Sequence, residues 1–226
     1  DKGARRPTHI PPTNLKKVGI IGAGLMGAGI AYVSALNGLE VVLIDTTEEK
    51  VQAGKDTINK LASGQVSRKK MTEQAKDELL ARVNGTMYYE SLRDVDLVIE
   101  AVFEDRDIKD KVLQTVQEVV GLDTIIASNT STLPITSLAD SLKDPGKFIG
   151  IHFFSPVDKM LLVEVIMGKS TDELALATAL DFVRMIKKTP IVVNDCRGFY
   201  ANRCVLNYVL EGHLDRKSTR LNSSHT

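Results

Sequence analysis

The sequence contains little cysteine and has no surplus of charge of either sign. Its two cysteines, Cys196 and Cys204, lack the spacing of a metal site and have no Cys or His cluster beside them. This excludes a disulfide scaffold and a zinc site, so reduced and buried thiols of a cytosolic protein are the expectation. The chain has 29 basic residues (lysine and arginine) and 29 acidic residues (aspartate and glutamate). No overall electrostatic field therefore favours nucleic acid or an anionic membrane as a partner.

The remaining composition is that of an ordinary soluble globular protein. Of the 226 residues, 43% are hydrophobic and 26% are charged, and this mixture allows a sizeable core in one or two domains. The chain has no internal repeat and no low-complexity tract. Disordered and collagen-like architectures are therefore excluded as descriptions of the whole chain.

One long uncharged segment raises the question of a membrane span. Residues 18–39 contain no charged side chain and are long enough to cross a bilayer, and Lys16 and Lys17 before them resemble the basic start of a signal peptide. Six glycines interrupt the segment, however, and Asn37 and Gly38 form a typical helix end that a second strand-like run follows at once. We therefore favour a strand–helix unit over a membrane or signal segment.

Short apolar runs alternate with helical patterns along most of the chain. The predicted strands cover residues 15–21, 40–45, 96–102, 124–128, 147–153, 161–167 and 190–193. The predicted helices cover residues 25–37, 46–63, 72–82, 108–120 and 171–187, the second of them opened by a capping box at Thr46-x-x-Glu49. This alternation predicts an α/β fold with a Rossmann-type, doubly wound and mostly parallel sheet.

The pattern divides the chain into four parts. Residues 1–14, with two arginines and three prolines, are expected to be a linker that arrives from something upstream, and residues 15–195 to form the Rossmann domain. A helical pattern over residues 196–214 predicts the start of an all-α C-terminal domain, here truncated. The polar residues 215–226 resemble the translation of a sequencing-library adapter, and we expect them to be non-native. The natural chain would then continue past Leu214.

A glycine-rich turn follows the first predicted strand. The sequence G-A-G-L-M-G, residues 22–27, opens a helix, and Asp45 ends the next strand 23 positions after Gly22. Gly22 permits the tight turn, Gly24 lets the backbone approach a pyrophosphate at the helix N-terminus, and Gly27 lets the helix pack closely on the strand. Asp45 would accept a hydrogen bond from a ribose 2′-hydroxyl, which favours NAD over NADP. The alternatives are glycines that serve only the turn and an Asp45 that only caps the next helix.

Two later strands also end in polar residues. Residues 100–109 form the end of the third strand and the segment after it, and residues 128–131 do the same for the fourth. Ligands of doubly wound sheets bind beyond the carboxyl ends of the strands. Glu104, Lys109 and Ser131 are therefore candidates to line the crevice, although each could be an ordinary polar loop residue.

His152 is the histidine that lies inside the folded pattern, at the carboxyl end of its predicted strand. Histidine is the usual base for a hydroxyl proton near neutral pH, but a lone strand histidine is more often structural. Glu164 changes this balance, because a carboxylate inside an apolar strand requires a partner. A hairpin centred on residue 158 would place the two side chains opposite each other, with Cβ atoms about 5 Å apart. We predict a catalytic dyad in which Glu164 fixes the tautomer of His152.

Five segments of the chain together resemble the L-3-hydroxyacyl-CoA dehydrogenase family. They are, in order, G-A-G-L-M-G-A-G-I-A, I-E-A-V-F-E, A-S-N-T-S-T-L-P-I, H-F-F-S-P-V-D-K-M and G-F-Y-A-N-R. The fourth segment and the basic lead-in resemble the dehydrogenase part of the multifunctional fatty-acid-oxidation α-subunit, where an enoyl-CoA hydratase domain comes first. The resemblance implies NAD-dependent oxidation of an (S)-3-hydroxyacyl-CoA to the 3-ketoacyl-CoA in fatty acid β-oxidation, with no metal ion.

The resemblance also implies roles for individual residues. His152 would be the base and Glu164 its partner, while Ser131 and Asn202 would bond the substrate oxygen and position it. Ser155 stands where single-function relatives often have asparagine, and it would contact the nicotinamide end of the cofactor. The NAD site would also be lined by Met26, Asp45, Val102, Phe103, Glu104 and Lys109. The basic residues 68–70 are either a contact for coenzyme A phosphates or a solvated loop.

Alternatives to this function remain open from the sequence. One is another NAD-dependent dehydrogenase on the same sheet, of the 6-phosphogluconate-dehydrogenase-like or 2-hydroxyacid type, and another is a non-catalytic NAD-binding module. The resemblance implies a hydratase domain upstream, a thiolase subunit as partner, and a location in the bacterial cytoplasm or in the matrix of a eukaryotic organelle. Because the family's helical domain closes the acyl-CoA cleft, a chain that lacks it would turn over poorly.

Overall fold

The structure is a computed structural model that describes residues 5–205, and a single β-sheet is its framework. In chain order its strands are β1 (Lys17–Ile21), β2 (Glu40–Ile44), β3 (Val83–Thr86), β4 (Leu97–Glu100), β5 (Ile125–Ser128), β6 (Phe148–Phe153), β7 (Leu162–Met167) and β8 (Thr189–Asn194). They lie side by side in the order β3-β2-β1-β4-β5-β6-β7-β8. All neighbours are parallel except β6 and β7, which are antiparallel.

Helices cover both faces of the sheet. They are α1 (Leu25–Leu36), α2 (Glu48–Ser67), α3 (Glu73–Ala81), α4 (Arg106–Val119), α5 (Ile135–Ala139) and α6 (Glu173–Met185), with short 3₁₀ helices at Tyr89–Leu92 and Pro145–Lys147. One apolar core joins α1, α2, α3 and α6 to the sheet, and a second joins α4 and α5 to its other face. Since both faces are buried, the central strands β1, β2, β4 and β5 are nearly continuous apolar runs rather than alternating ones. The predicted Rossmann-type fold is confirmed.

The strand order reverses at β1, and this reversal positions the site. β1 is hydrogen-bonded to β2 on one side and to β4 on the other, so the connections that leave β1 and β4 separate at their carboxyl ends. Such a switch point leaves a crevice at this edge of a doubly wound sheet, where ligands bind.

Two short elements were not predicted. β3 has the sequence V-N-G-T and pairs with β2, and its glycine is required because a Cβ at Gly85 would lie 2.5 Å from the Val51 side chain. α5 has only five residues after Pro134. Neither segment is long or apolar enough to produce a periodic signal, and packing against the rest of the domain determines both.

The start of α2 differs from the prediction by one residue. Thr47, not Thr46, is the N-cap, because the Thr47 side chain accepts a hydrogen bond from the Lys50 amide. The helix also continues to Ser67, four residues beyond the predicted end. The capping-box pattern in the sequence fits only Thr46, because Thr47 is followed three residues later by Lys50. In the structure the Thr46 hydroxyl instead donates to Asp45 Oδ1 at 3.2 Å.

The described part of the lead-in, residues 5–14, is held against the domain. The Arg6 guanidinium donates to both carboxylate oxygens of Asp181 on α6, at 2.7 and 2.8 Å, and also to the carbonyls of Pro7, Ile10 and Pro11. Its side chain is 13% exposed. The segment predicted as a linker is therefore bound to α6 by an ion pair. The division of the chain into domains stays a prediction, and residues 206–214 and 215–226 lie outside the described residues.

Two minor expectations from the sequence have different outcomes. Across residues 5–205, no helix combines the length and the apolar character needed to cross a membrane, and the uncharged residues 18–39 form β1, α1 and their connections. Both cysteines are free, but the expectation of buried thiols is wrong. Cys204 is exposed and Cys196 is half-buried, because both lie where the sheet ends and the next helix begins.

Candidate active site

A cleft of about 700 Å³ opens at the carboxyl ends of β1, β2 and β4. The glycine-rich turn forms its floor, and apolar side chains form much of its wall. Phe103 is 78% and Leu25 is 72% exposed, so both offer apolar surface to a ligand. The residues that line the cleft are Ile21, Gly22, Ala23, Gly24, Leu25, Met26, Asp45, Thr46, Lys50, Ala53, Met87, Tyr89, Ala101, Val102, Phe103, Ile108 and Val112.

Each of the three motif glycines has a distinct structural reason. Gly22 has φ +99°, and a Cβ there would lie 2.5 Å from the Ala101 carbonyl oxygen. A Cβ on Gly27 would lie 1.7 Å from the Gly22 oxygen, so only glycine lets α1 approach the turn. A Cβ on Gly24 would meet nothing within 4 Å. Gly24 therefore keeps space open in front of the helix rather than avoiding a clash.

The first turn of α1 is free to receive an anion. Gly24 is the N-cap and has no side chain to accept from the helix amides, and the first turn contains no acidic residue. The unpaired N–H groups and the positive end of the helix dipole therefore face the cleft. These features fit the pyrophosphate of a dinucleotide.

Asp45 lies at the mouth of the cleft and braces the glycine-rich turn. Its Oδ2 accepts from the Ala23 amide at 2.8 Å and its Oδ1 from the Thr46 amide at 2.7 Å. Thr47 caps α2, so a capping role does not explain Asp45. The Lys50 ammonium is 3.9 Å from Oδ1, and Lys50 also lines the cleft. Oδ1 also accepts from the Thr46 hydroxyl at 3.2 Å, so Oδ2 is the oxygen that keeps a second lone pair for a ribose hydroxyl.

A buried ion pair, which the sequence reasoning missed, joins the end of β4 to α4. Lys109 Nζ lies 2.7 Å from Oε1 of Glu100, and neither side chain is more than 1% exposed. The same oxygen accepts from the Val102 amide, and the other accepts from the Ser128 hydroxyl at 2.6 Å. Glu100 is thus fully paired, as a buried carboxylate must be. The signal in the sequence was a carboxylate that ends a buried strand, nine residues before a lysine.

Glu104 organises the loop that follows β5. Its Oε1 accepts from the Thr130 hydroxyl at 2.6 Å and from the amides of Ser131 and Thr132 at 2.9 and 3.0 Å, and Lys109 Nζ lies 3.3 Å from Oε2. Partial burial would raise the pKa of Glu104, but these hydrogen bonds and the Lys109 charge outweigh it and lower the pKa to about 2. The carboxylate is therefore ionised throughout the physiological range.

His152 and Glu164 are directly opposite each other in the antiparallel pair of β6 and β7. This is the register that the hairpin count predicted. His152 Nδ1 lies 2.7 Å from Glu164 Oε2, and the side chains are 8% and 0% exposed. An ionised carboxylate can only accept, so Nδ1 carries the proton and Nε2 has the free lone pair. The geometry suits an imidazole that takes up a proton at Nε2.

Glu164 also binds the beginning of the next helix. Its Oε1 accepts from the amides of Tyr200 and Ala201, at 3.1 and 2.8 Å, where a helix described over residues 201–205 begins. Burial acts to raise the pKa of Glu164, but the His152 hydrogen bond and these two amides lower it overall. One carboxylate thus orients the imidazole with one oxygen and the following helix with the other.

The two residues expected to bind substrate are close together. Asn202 Nδ2 donates to the Ser131 carbonyl at 3.1 Å, which brings the loop after β5 next to the helix that follows β8. Phe154 and Phe199 flank the imidazole of His152, with ring centroids 4.7 and 5.9 Å from it. The imidazole of His152 therefore has aromatic, apolar neighbours.

The other predicted residues fall into two groups. Met26, Asp45, Val102 and Phe103 line the cleft, whereas Glu104, Lys109, Ser131 and Ser155 lie outside its lining. Ser155 is exposed in the turn after β6, and residues 68–70 are exposed at the end of α2. Sequence reasoning also missed Asn129, whose Oδ1 accepts from the Phe153 amide at 2.9 Å and holds β6 beside the end of β5.

Comparison with known proteins identifies the family. The family described as 3-hydroxyacyl-CoA dehydrogenase, NAD binding domain, matches residues 17–196. The chain belongs to the 3-hydroxyacyl-CoA dehydrogenase family. The prediction of NAD as cofactor is confirmed by this match, since the matching segment is the family's NAD-binding domain.

Relatives of known name agree with this assignment. The chain is 46% identical over 194 residues to the fatty acid oxidation complex subunit alpha of Acinetobacter baylyi, which covers 86% of this chain and 27% of the relative. Among solved structures, (S)-3-hydroxybutyryl-CoA dehydrogenase PaaH1 from Ralstonia eutropha is 41% identical with a TM-score of 0.83, over 85% of this chain and 68% of that one. FadB2 of M. tuberculosis is 36% identical with a TM-score of 0.88, over 92% and 73%. The chain thus spans about a quarter of the length of the curated relatives it matches.

Proposed function

We propose that the protein carrying this domain oxidises an (S)-3-hydroxyacyl-CoA to the 3-ketoacyl-CoA with NAD as the hydride acceptor, as a step of fatty acid β-oxidation. The observation that carries the proposal is the buried His152–Glu164 pair, 2.7 Å apart, at the same edge of the sheet as the dinucleotide cleft. Membership of the 3-hydroxyacyl-CoA dehydrogenase family supports the substrate class.

His152 is the base in the proposed reaction. Its Nε2 removes the proton from the substrate hydroxyl, and the resulting imidazolium is stabilised by the ionised Glu164 at Nδ1. NAD, when bound, accepts the hydride that leaves C3 of the substrate. In the reverse direction the imidazolium returns the proton to the carbonyl oxygen, so the same pair serves as base and as acid.

Further residues position substrate and cofactor in this proposal. Ser131 and Asn202, which are hydrogen-bonded to each other, bond the substrate oxygen. Glu104, ionised and held by three neighbouring residues after β5, acts with Lys109 and Ser155 near the nicotinamide end of the cofactor. Met26, Val102 and Phe103 provide apolar contacts in the cleft, and Asp45 accepts from the ribose.

The name of the curated relatives supports a wider setting. They are alpha subunits of a fatty acid oxidation complex, and we propose an enoyl-CoA hydratase domain upstream and a thiolase subunit as partner. The location that follows is the cytoplasm of a bacterium or the matrix of a eukaryotic organelle. Detection of a stable complex after co-expression of the full-length protein with a thiolase tests this setting.

The test of the reaction is NADH consumption with acetoacetyl-CoA, followed together with NADH binding in one cuvette. Consumption with NADH and not with NADPH is the expected result, in the chain ended at Leu214 or after a helical C-terminal domain is restored. Turnover of a 2-hydroxyacid or of 6-phosphogluconate instead would contradict the substrate assignment. NADH binding without any turnover in the restored protein would favour a non-catalytic NAD-binding module.

A further inference from the structure

A lysine that the proposed chemistry does not use is buried behind the dyad hairpin. We call the segment from β6 through residues 154–161 to β7 the dyad hairpin, because it carries His152 and Glu164. Lys188 is 8% exposed, and its ammonium donates to the carbonyls of Val157 and Met160, at 2.5 and 2.6 Å. Both carbonyls belong to the turn of the hairpin.

The position of Lys188 follows from the end of α6. Lys187 has φ +58°, and the Lys188 amide donates to the Val183 carbonyl, the hydrogen bond with which a left-handed residue closes a helix. The next amide, of Thr189, donates to the Leu161 carbonyl at 2.8 Å. The chain therefore enters β8 with the Lys188 side chain directed into the turn.

Lys188 has no carboxylate partner within ion-pair distance among residues 5–205. Burial lowers its pKa, which Asp158 in the same turn partly offsets. A buried ammonium is costly unless it forms good hydrogen bonds, and here two backbone carbonyls provide them. The contact stabilises one conformation of the turn rather than pairing charges.

The same turn packs on the cofactor helix through a fourth glycine. Val157 is buried, and a Cβ on Gly29 of α1 would lie 2.9 Å from Val157 Cβ and 3.0 Å from its Cγ2. Gly29 follows the three glycines of the G-A-G-L-M-G turn, and the binding of a pyrophosphate does not require it. Its role is the close approach of the hairpin to the helix whose first turn faces the cleft.

We propose that Lys188 is a positioning residue which, together with the Gly29–Val157 contact, holds the dyad hairpin against α1 and so fixes the distance between His152 and the bound nicotinamide. This inference rests on the proposed function. Lys188 acts through the turn and not on the substrate. A displacement of the reacting groups by about 1 Å can lower a rate about 100-fold. Contacts that position the dyad hairpin therefore control turnover without touching either ligand.

The first test compares Lys188→Met with Lys187→Met, an exposed neighbour with the same change of side chain. Lys188→Met is expected to lower turnover of acetoacetyl-CoA about 10- to 100-fold while NADH affinity stays within about twofold. It is also expected to shift the downfield proton NMR signal of the imidazole N–H shared by His152 and Glu164. Lys187→Met should leave all three unchanged. A Lys188→Met protein that folds, turns over normally and keeps the imidazole signal overturns the inference.

A second test applies if Lys188→Met does not fold. Gly29→Ala should lower turnover and shift the same imidazole signal, although alanine is the better helix former. Adding Val157→Gly to it should recover much of both, because this change removes both the Cβ and the Cγ2 that the new methyl group would meet. No effect of Gly29→Ala, or no recovery in the double variant, contradicts the proposed positioning role of Lys188 and the Gly29–Val157 contact. If the wild-type protein shows no turnover, the proposed function is contradicted instead. The imidazole signal and the NADH affinity of the variants then still test the positioning role.

Discussion

The two halves of the sheet edge use different parts of the chain to build their sites. Around β1, β2 and β4, the turn depends on backbone: a left-handed glycine, a helix with no side-chain cap and an amide bound by Asp45. Across β6 and β7, the site depends on two buried polar side chains paired at 2.7 Å. A site made of backbone groups recognises phosphate, which is common to all dinucleotides, whereas a site made of a paired histidine and carboxylate is suited to one type of reaction. Substitutions should therefore separate binding from turnover.

The largest expected effect is on the dyad side. Glu164→Gln removes the charge that fixes the His152 tautomer, and in an analogous triad a change of this type lowers kcat about 10⁴-fold. We expect a loss of turnover of about 10³- to 10⁴-fold with NADH affinity little changed, measured by steady-state kinetics and fluorescence titration. An equal loss of NADH affinity would show that the two halves are not separate.

On the cofactor side, two glycines form a matched pair. Gly27→Ala places a Cβ 1.7 Å from the Gly22 oxygen, so we expect disruption of the turn and loss of NADH binding. Gly24→Ala meets nothing within 4 Å and should leave the thermal unfolding temperature unchanged, while NADH affinity falls by about tenfold or more, equivalent to about 1.4 kcal/mol. If Gly24→Ala binds NADH like wild type, the space before α1 does not hold the cofactor.

Lys109 stabilises the region where the end of β4 meets α4. Lys109→Met leaves the buried carboxylate of Glu100 without its charge partner, and loss of one member of a buried pair costs about 3–5 kcal/mol. Urea unfolding should show this destabilisation. Lys143→Met, at an exposed ion pair with Glu118, is the control and should change stability by about 0.5 kcal/mol or less. Equal effects of the two substitutions would contradict the structural role of Lys109.

The smallest expected effect is a pH dependence at Glu104. Its pKa is lowered to about 2 in the folded protein, so its ionisation stabilises the fold above the ordinary pKa of a glutamate and loses that effect as pH falls towards 2. Glu104→Gln should be less stable than wild type at neutral pH, and the difference should shrink below about pH 5. Urea unfolding of both proteins across this range measures it. The side chain is one-third exposed, so solvent screening keeps the effect small. A difference that grows on acidification would contradict this sign.

The sequence was most informative where a residue type is determined by its neighbours along the chain. Gly22, Gly27 and Asp45 follow from a strand–turn–helix unit, and the opposition of His152 and Glu164 followed from counting to either side of residue 158. Both patterns are local, so spacing alone located them. The roles assigned to these residues in binding and catalysis stay predictions until they are measured.

What the sequence did not predict depends on contacts between distant segments. The Glu100–Lys109 pair gave a signal that looks like two ordinary polar loop residues, because burial is a property of the packed domain. β3 exists because β2 offers it an edge, and the ordered lead-in exists because Arg6 meets Asp181, 175 residues away. Such contacts leave no periodicity in the chain.

The most direct test of the division between binding and chemistry is one stopped-flow experiment on His152→Gln in the protein shown to be active. NADH fluorescence reports binding and NADH absorbance reports hydride transfer to acetoacetyl-CoA in the same mixing. We expect wild-type binding and a hydride-transfer rate reduced by about 10²- to 10⁴-fold, the range for loss of a general base. An unchanged rate would contradict His152 as the base, and with it the view that the β6–β7 pair supplies the chemistry.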